Sequence, residues 1–223
     1  MSGKIKAVIF DLDGVLLECV ERCYRAFEDT LSFFGQSKIG KKEWLKATKS
    51  DGINDLLFKK EKGCKEKIFL FWKRFLANYR NYTQYSEPIS GASAILRSLK
   101  EKGYLIGIVT SRVSSVKEVE EELKYFGILE AIDTVVTKKE VLEKSSMADI
   151  LAREGEIKFI LEKFNLNPKE CLFVCDTRKD IKAAKKLGMK VIAVLSGLSA
   201  REALEIENPD LIVKDVNELI KFI

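Results

Sequence analysis

The sequence predicts a doubly wound α/β fold, in which a parallel sheet carries helices on both faces. Short runs rich in Val and Ile alternate along the chain with amphipathic stretches, whose apolar residues recur about every 3.6 positions. The chain has 223 residues, 46% hydrophobic and 33% charged, which is typical of globular proteins. No apolar run approaches the roughly 20 residues that a membrane-spanning helix needs, so no membrane segment is predicted.

Six runs are predicted to be strands, at residues 5–10, 104–109, 134–137, 171–175, 191–195 and 211–213. Helical patterns lie between them. Val116, Val119 and Leu123 form one apolar stripe, and Ile157 and Ile160 begin another. Two strands joined by a crossover helix usually lie parallel in one sheet, and the connection is right-handed. The order of elements therefore predicts one continuous parallel sheet.

Residues 15–87 interrupt this alternation, because they show only helical patterns. We predict an α/β core domain of residues 1–14 and 88–223, with a smaller, all-helical cap domain of residues 15–87 inserted after the first strand. This insert holds 15 Lys and Arg against 10 Asp and Glu and so carries the whole net charge of +5. Its lysines indicate either solvated helix faces or a lid that attracts an anionic substrate. The imbalance is too small to favour nucleic-acid binding.

The composition excludes several kinds of site. The chain has no histidine, which excludes Ser-His-Asp triads and the commonest zinc sites. Five cysteines are an odd number, and the N-terminal residues show no secretion signal, so we predict free thiols in a cytoplasmic protein. Two glutamines beside many Lys and Glu resemble the composition of hyperthermophile proteins.

Acidic residues follow the first predicted strand. Asp11 and Asp13 are two positions apart in extended chain, so their side chains can point the same way from the strand's carboxyl end. Two close carboxylates repel each other and need a cation or a shared proton. A hard divalent ion with oxygen ligands, most simply Mg²⁺, fits them best. An acidic turn without a metal is the alternative.

Two further predicted strands also end in polar residues. Thr110 and Ser111 follow the second and offer hydroxyl and N–H donors to an anion. Asp176 ends the strand at 171–175, and Asp180 follows where a helix begins. Helix capping alone would explain Asp180. Because the carboxyl ends of parallel strands meet at one edge, these residues together predict a single site.

These motifs resemble those of the haloacid dehalogenase superfamily, in its phosphatase branch with a helical cap, similar to phosphoglycolate phosphatases. DLDGVL at 11–16 resembles the family's first motif, IVTSR at 108–112 its second, and the stretch at 173–194 its fourth. The resemblance covers nearly the whole chain and implies a Rossmann-like core. It also implies that Asp11 is the nucleophile, Asp13 the general acid/base and Thr110 a phosphate donor. Asp11, Asp13, Asp176 and Asp180 would then form the Mg²⁺ site.

The third motif departs from the family's pattern, because the usual Lys-Pro pair is missing. Counting forward from the VVTKKEV stretch at 135–141 reaches Lys144, which we take as the third-motif cation. Counting back from Pro168 lands on Leu151, near Arg153 and Lys158, which are the alternatives.

The resemblance implies a Mg²⁺-dependent phosphatase that hydrolyses a small phosphorylated metabolite through an aspartyl-phosphate. A phosphomutase or phosphonatase of the same family, or a non-catalytic receiver-like phosphate-binding protein, is the alternative. The expected partner is a small phosphorylated molecule, with no nucleic acid and no membrane. The chain is expected to be a monomer or a homodimer.

Overall fold

The chain forms eight strands and nine α-helices within residues 4–58, 64–142 and 153–222, which the computed structural model describes. The strands are β1 (Ala7–Asp11), β2 (Leu17–Glu18), β3 (Glu87–Pro88), β4 (Leu105–Thr110), β5 (Thr134–Thr137), β6 (Cys171–Cys175), β7 (Lys190–Val194) and β8 (Leu211–Val213). The helices are α1 (Val20–Phe33), α2 (Lys41–Lys49), α3 (Cys64–Tyr79), α4 (Ala92–Glu101), α5 (Val116–Tyr125), α6 (Lys138–Leu142), α7 (Glu154–Phe164), α8 (Arg178–Lys186) and α9 (Arg201–Glu205). None of the described helices combines the length and apolar character needed to cross a membrane.

The main sheet has six parallel strands in the order β5-β4-β1-β6-β7-β8. The chain builds outward from β1 through β4 and β5, and then crosses β1 to continue with β6. The strand order therefore reverses beside β1, and open α/β sheets bind ligands at such a point. This sheet confirms the predicted doubly wound α/β fold.

Apolar side chains alternate across the sheet into two separate clusters. In β1, Val8 and Phe10 join one cluster, which includes residues of α4 and α5. Ala7 and Ile9 join the other, which includes residues of α7 and α8. Successive side chains of a strand point to opposite faces, so both faces of the sheet are covered.

The helical insert differs from its prediction at both ends. Residues 15–87 were expected to be helical throughout, but β2 and β3 pair with each other there in a two-stranded antiparallel sheet. Strands of two residues are too short to give an alternating apolar pattern, which is why the sequence did not reveal them. Because Leu17 pairs with Pro88, the two ends of the insert lie side by side.

The helices of residues 15–87 surround an aromatic core of their own. Phe27 of α1 and Phe71 of α3 are fully buried, with ring centroids 5.4 Å apart, and Trp44 of α2 packs against Phe27. These residues form a third cluster, separate from the two that cover the main sheet. Each aromatic side chain buries a large apolar area, so this small group of helices has its own source of stability.

Candidate active site

The predicted site residues converge where β1, β4 and β6 end. Asp11 is the last residue of β1, Thr110 is the last of β4, and Asp176 directly follows β6. Since β1 pairs in register with both β4 and β6, three separate parts of the sequence meet at one edge of the sheet.

Three carboxylates form a compact buried group at this edge. Asp11, Asp176 and Asp180 each place an oxygen atom within 4.8 Å of the others. Burial raises the pKa of Asp176 to about 7, and the nearby charge of Asp180 adds to this effect. Burial also raises the pKa of Asp11 well above its usual value, against the opposing effect of Arg153. Burial and the neighbouring negative charges thus disfavour the ionised forms of Asp11 and Asp176.

The donor set of this group fits a hard divalent cation. Oδ2 of Asp176 accepts a hydrogen bond from the Leu198 N–H at 2.9 Å, whereas its buried Oδ1 has no hydrogen-bond partner among the described residues. A buried carboxylate oxygen without a partner is costly, and a cation would remove that cost. Asp11, Asp176 and Asp180 are the residues that could hold Mg²⁺.

Because two neighbouring residues are glycines without side chains, there is room for the Asp176 side chain. A Cβ atom added to Gly197 would lie 1.8 Å from Oδ2 of Asp176, and one added to Gly14 would lie 2.6 Å from the same oxygen. Gly14 also has a φ of +82°, which side chains other than glycine rarely adopt. Both positions therefore require glycine if Asp176 is to keep its place.

Arg153 supplies the cation beside the carboxylates. Its guanidinium forms an ion pair with Asp11, a second one with Oδ1 of Asp180 at 2.8 Å, and a hydrogen bond to the Ser111 hydroxyl at 3.0 Å. Burial opposes its charge, but the Asp180 and Asp11 carboxylates raise the pKa of Arg153 above its usual value. Arg153 therefore stays charged and holds these groups together.

The other candidates for this cation are placed differently. Lys144, the predicted residue, lies outside the described part of the chain, whereas Lys158 is exposed on α7. Lys138, which the sequence did not single out, is buried and forms an ion pair with Glu156 at 2.7 Å. Of the three candidates from the sequence, Arg153 is the one that the described structure brings to Asp11.

Asp13 lies apart from the three grouped carboxylates. The Arg112 guanidinium donates hydrogen bonds to both of its oxygens, at 2.7 and 2.8 Å, and the Tyr79 hydroxyl donates to Oδ1 at 2.8 Å. Burial acts to raise the pKa of Asp13, but the charge and hydrogen bonds of Arg112 outweigh it, so the pKa is lowered. The Asp13 side chain, which was also predicted to be a metal ligand, is thus held by Tyr79 of α3 and by Arg112 after β4, and the described structure does not place it in the group of three carboxylates.

Arg112 also connects the site to the helical insert. It donates a hydrogen bond to Glu122 at 2.7 Å, and Glu122 accepts another at 2.8 Å from Arg22 of α1. Arg112, Tyr79 and Glu122 have no role in the site predicted from the sequence. Arg112 directly follows the Thr110-Ser111 pair, a position that could have drawn attention to it, whereas no sequence signal marks Tyr79.

The two predicted hydroxyl residues have different surroundings. Thr110 is 1% exposed, and its hydroxyl accepts a hydrogen bond from the Arg112 N–H at 3.2 Å. Ser111 is exposed and lies beside Arg153. Both line a cavity of about 430 Å³ that is also lined by Asp11, Asp13, Asp176 and Asp180 and, on its other side, by residues from 19–54 and 72–79.

The fold and this acidic site define an α/β enzyme that acts at the switch point of its sheet. The chain belongs to the haloacid dehalogenase-like hydrolases, whose family model matches residues 8–194. This membership favours the hydrolase interpretation over the receiver-like one.

Relatives and solved structures agree with the family. The chain is 27% identical over 217 residues to the pyrophosphatase PpaX of Bacillus mycoides, covering 97% of this chain and 96% of the relative. A haloacid dehalogenase-like hydrolase from Streptococcus pneumoniae superposes with a TM-score of 0.75 at 19% identity and 98% coverage of both chains. CbbY from Rhodobacter sphaeroides, solved in complex with phosphate, gives a TM-score of 0.67 at 21% identity and 96% coverage of both chains.

Proposed function

We propose that this protein is a Mg²⁺-dependent phosphatase, in which Asp11 is the nucleophile and residues 15–87 form a cap domain over the site. The observation that carries the proposal is the convergence of Asp11, Asp176 and Asp180 with Arg153 at one buried edge of the sheet. The relatives are consistent with it, since one is a pyrophosphatase and one solved structure contains phosphate.

The first half-reaction forms a phosphoryl-enzyme. A carboxylate oxygen of Asp11 attacks phosphorus, and the bond to the leaving-group oxygen breaks. Arg153 orients Asp11, and Thr110 and Ser111 border the space where the phosphoryl oxygens would lie. Mg²⁺ bound at Asp11, Asp176 and Asp180 would neutralise charge on the phosphoryl group.

The second half-reaction hydrolyses the aspartyl-phosphate. Asp13 takes a proton from the attacking water; its lowered pKa keeps the carboxylate ionised, as a base must be, and at the same time makes it a weaker base. In the first half-reaction Asp13 would give a proton to the leaving group. The protonated form requires Arg112 to release one of its two hydrogen bonds to Asp13.

Metal-dependent phosphate release tests the proposal. We expect the purified protein to release phosphate from a panel of phosphate monoesters with Mg²⁺, to lose this activity in EDTA, and to regain it when Mg²⁺ is added in excess. Colorimetric phosphate detection measures the rates. Release that EDTA does not affect, or no release from any compound, would contradict the proposal.

Mg²⁺ is also expected to stabilise the fold in a pH-dependent manner. In EDTA, the raised pKa of Asp176, about 7, means that stability falls as the pH rises towards 7, because the carboxyl ionises more easily in the unfolded chain. Mg²⁺ requires the ionised form, so its effect is expected to be large at about pH 8 and small at about pH 5. At roughly a hundred times its Kd, Mg²⁺ would add about 2.7 kcal/mol and raise the Tm by about 5–10 °C.

Differential scanning calorimetry in EDTA and in Mg²⁺ measures this effect. The Asp176→Asn variant is expected to lose the Mg²⁺-dependent shift, whereas Glu101→Gln, which neutralises an exposed carboxylate on α4, is expected to keep it. An equal shift at both pH values would argue against metal binding at this group.

A further inference from the structure

One side of the active-site cavity is formed by an apolar stripe of α3. Trp72, Phe75, Leu76 and Tyr79 all line the cavity, at spacings that place them on one helix face. The centroids of the Trp72 and Phe75 rings lie 5.2 Å apart, and those of Phe75 and Tyr79 lie 5.9 Å apart. Tyr79 reaches the Asp13 carboxylate with its hydroxyl, so the rest of the stripe borders the cavity beside the residue that would protonate the leaving group of a phosphorylated substrate.

Positive charge is missing from the same wall. Among the described residues of 15–87 that line the cavity there is no lysine or arginine, although this segment carries the net positive charge of the chain. The one charged side chain among them, Asp51, is an anion and pairs with Arg178 of the core at 3.0 Å. The described lysines of the insert thus do not attract a substrate from this wall.

Asn54 supplies a hydrogen-bond donor to the same wall. The Trp72 indole N–H donates to the Asn54 carbonyl oxygen at 2.7 Å, which engages the acceptor end of that amide. Asn54 is exposed and lines the cavity, and its NH₂ group has no hydrogen bond to the described residues. A neutral acceptor on the leaving group would suit this position.

We infer that the substrate is a phosphate monoester whose alcohol part is uncharged and carries an aromatic ring, an inference that rests on the proposed phosphatase function. A ring would pack against the α3 stripe, and such contacts favour offset or edge-on aromatic pairs. The described cations that line the cavity all belong to the opposite side: Arg112, Arg153 and Arg178 are each paired with carboxylates, and Lys179 is exposed to solvent. A leaving group that is itself an anion, such as the glycolate of phosphoglycolate or the phosphate of pyrophosphate, would therefore have to leave water beside the apolar stripe and Asp51 without a free arginine among these residues to pair with. Burial of an unpaired charge is costly, so these substrates are disfavoured.

A matched pair of substrates tests this inference. In both 2-phenylethyl phosphate and 2-phosphoglycolate the leaving oxygen is on a primary carbon, so the two compounds differ mainly in the group that meets the wall. We expect kcat/KM to be at least about tenfold higher for 2-phenylethyl phosphate. A higher value for 2-phosphoglycolate would overturn the inference.

A matched pair of variants locates the effect. Leu76→Lys places a cation on the cavity wall, and we expect it to lower the ratio of the two kcat/KM values by about tenfold or more. Leu70→Lys makes the same change on α3, at a residue that is 45% exposed and does not line the cavity, and is expected to leave the ratio within about twofold. Equal changes in the ratio for both variants would also overturn the inference.

Failure of the inference and failure of the proposed function give different results. If no monoester is hydrolysed, the proposed function fails, and quenching of tryptophan fluorescence by 2-phenylethanol still tests the wall directly. Trp72 lines the cavity, whereas Trp44 is buried in the core of the insert, so quenching that Trp72→Phe abolishes would support an aromatic site. Phosphate release that is fastest from pyrophosphate or 2-phosphoglycolate would keep the proposed function and reject the aromatic substrate.

Discussion

Replacement of Asp11 by asparagine is expected to abolish phosphate release, with kcat lowered by at least about a thousandfold. The amide has nearly the same shape as the carboxylate but is not a nucleophile towards phosphorus. Burial already disfavours the ionised form of Asp11, so a neutral side chain is expected to fit without loss of the fold. The measurements are the rate of phosphate release and the far-UV circular dichroism spectrum.

Trapping of the intermediate separates a nucleophile from a metal ligand. Acid quenching with labelled substrate is expected to leave covalently bound phosphate on the wild-type protein and none on Asp11→Asn. Glu101→Gln serves as the control, because it removes one exposed carboxylate charge on α4 and is expected to keep full activity. If Asp11→Asn retained more than about a tenth of the wild-type rate, Asp11 would not be the nucleophile.

Removal of the Arg153 guanidinium is expected to have the second-largest effect. Arg153→Leu would leave Asp11 and Asp180 without their shared cation, so Asp11 would be less readily ionised and less firmly oriented. We expect kcat to fall by about a hundredfold or more. Arg153→Lys keeps the charge but cannot reach Asp11, Asp180 and Ser111 together, so it is expected to fall between the wild type and Arg153→Leu.

The same experiment decides between the three candidates for the third-motif cation. Lys158→Ala removes an exposed charge on α7 and is expected to change kcat by less than about twofold. Lys144→Ala completes the series. A loss of activity in Lys144→Ala that exceeds the loss in Arg153→Leu would restore Lys144 to the role that the sequence predicted for it.

The sequence was most informative about the sheet. Three predicted strands, at 134–137, 171–175 and 211–213, coincide with β5, β6 and β8, and the others differ by one or two residues at their ends. The inner strands β1 and β6 are buried along their whole length, so they read as nearly continuous apolar runs. Because the acidic and hydroxyl residues follow such strands directly, their meeting at one edge could also be predicted.

Contacts between distant parts of the chain could not be predicted in this way. Tyr79 reaches Asp13 from a position 66 residues away, and Arg22 reaches Glu122 across 100 residues. Such pairs depend on how α1 and α3 pack above the sheet, and local periodicity does not report that packing. Arg153 was considered only because it lies near Leu151, the position reached by counting back from Pro168. Without the usual Lys-Pro pair, no motif fixed the alignment of this part of the chain.

The charged contacts that run from Arg22 through Glu122 and Arg112 to Asp13 bear on how temperature acts on the protein. These side chains join α1 to Asp13, and Arg22 and Arg112 are almost fully buried. The cost of desolvating charged groups falls on warming, while apolar burial gains little per unit area. Warming therefore favours these ion pairs between α1 and the site more than it would favour a boundary made of apolar contacts alone.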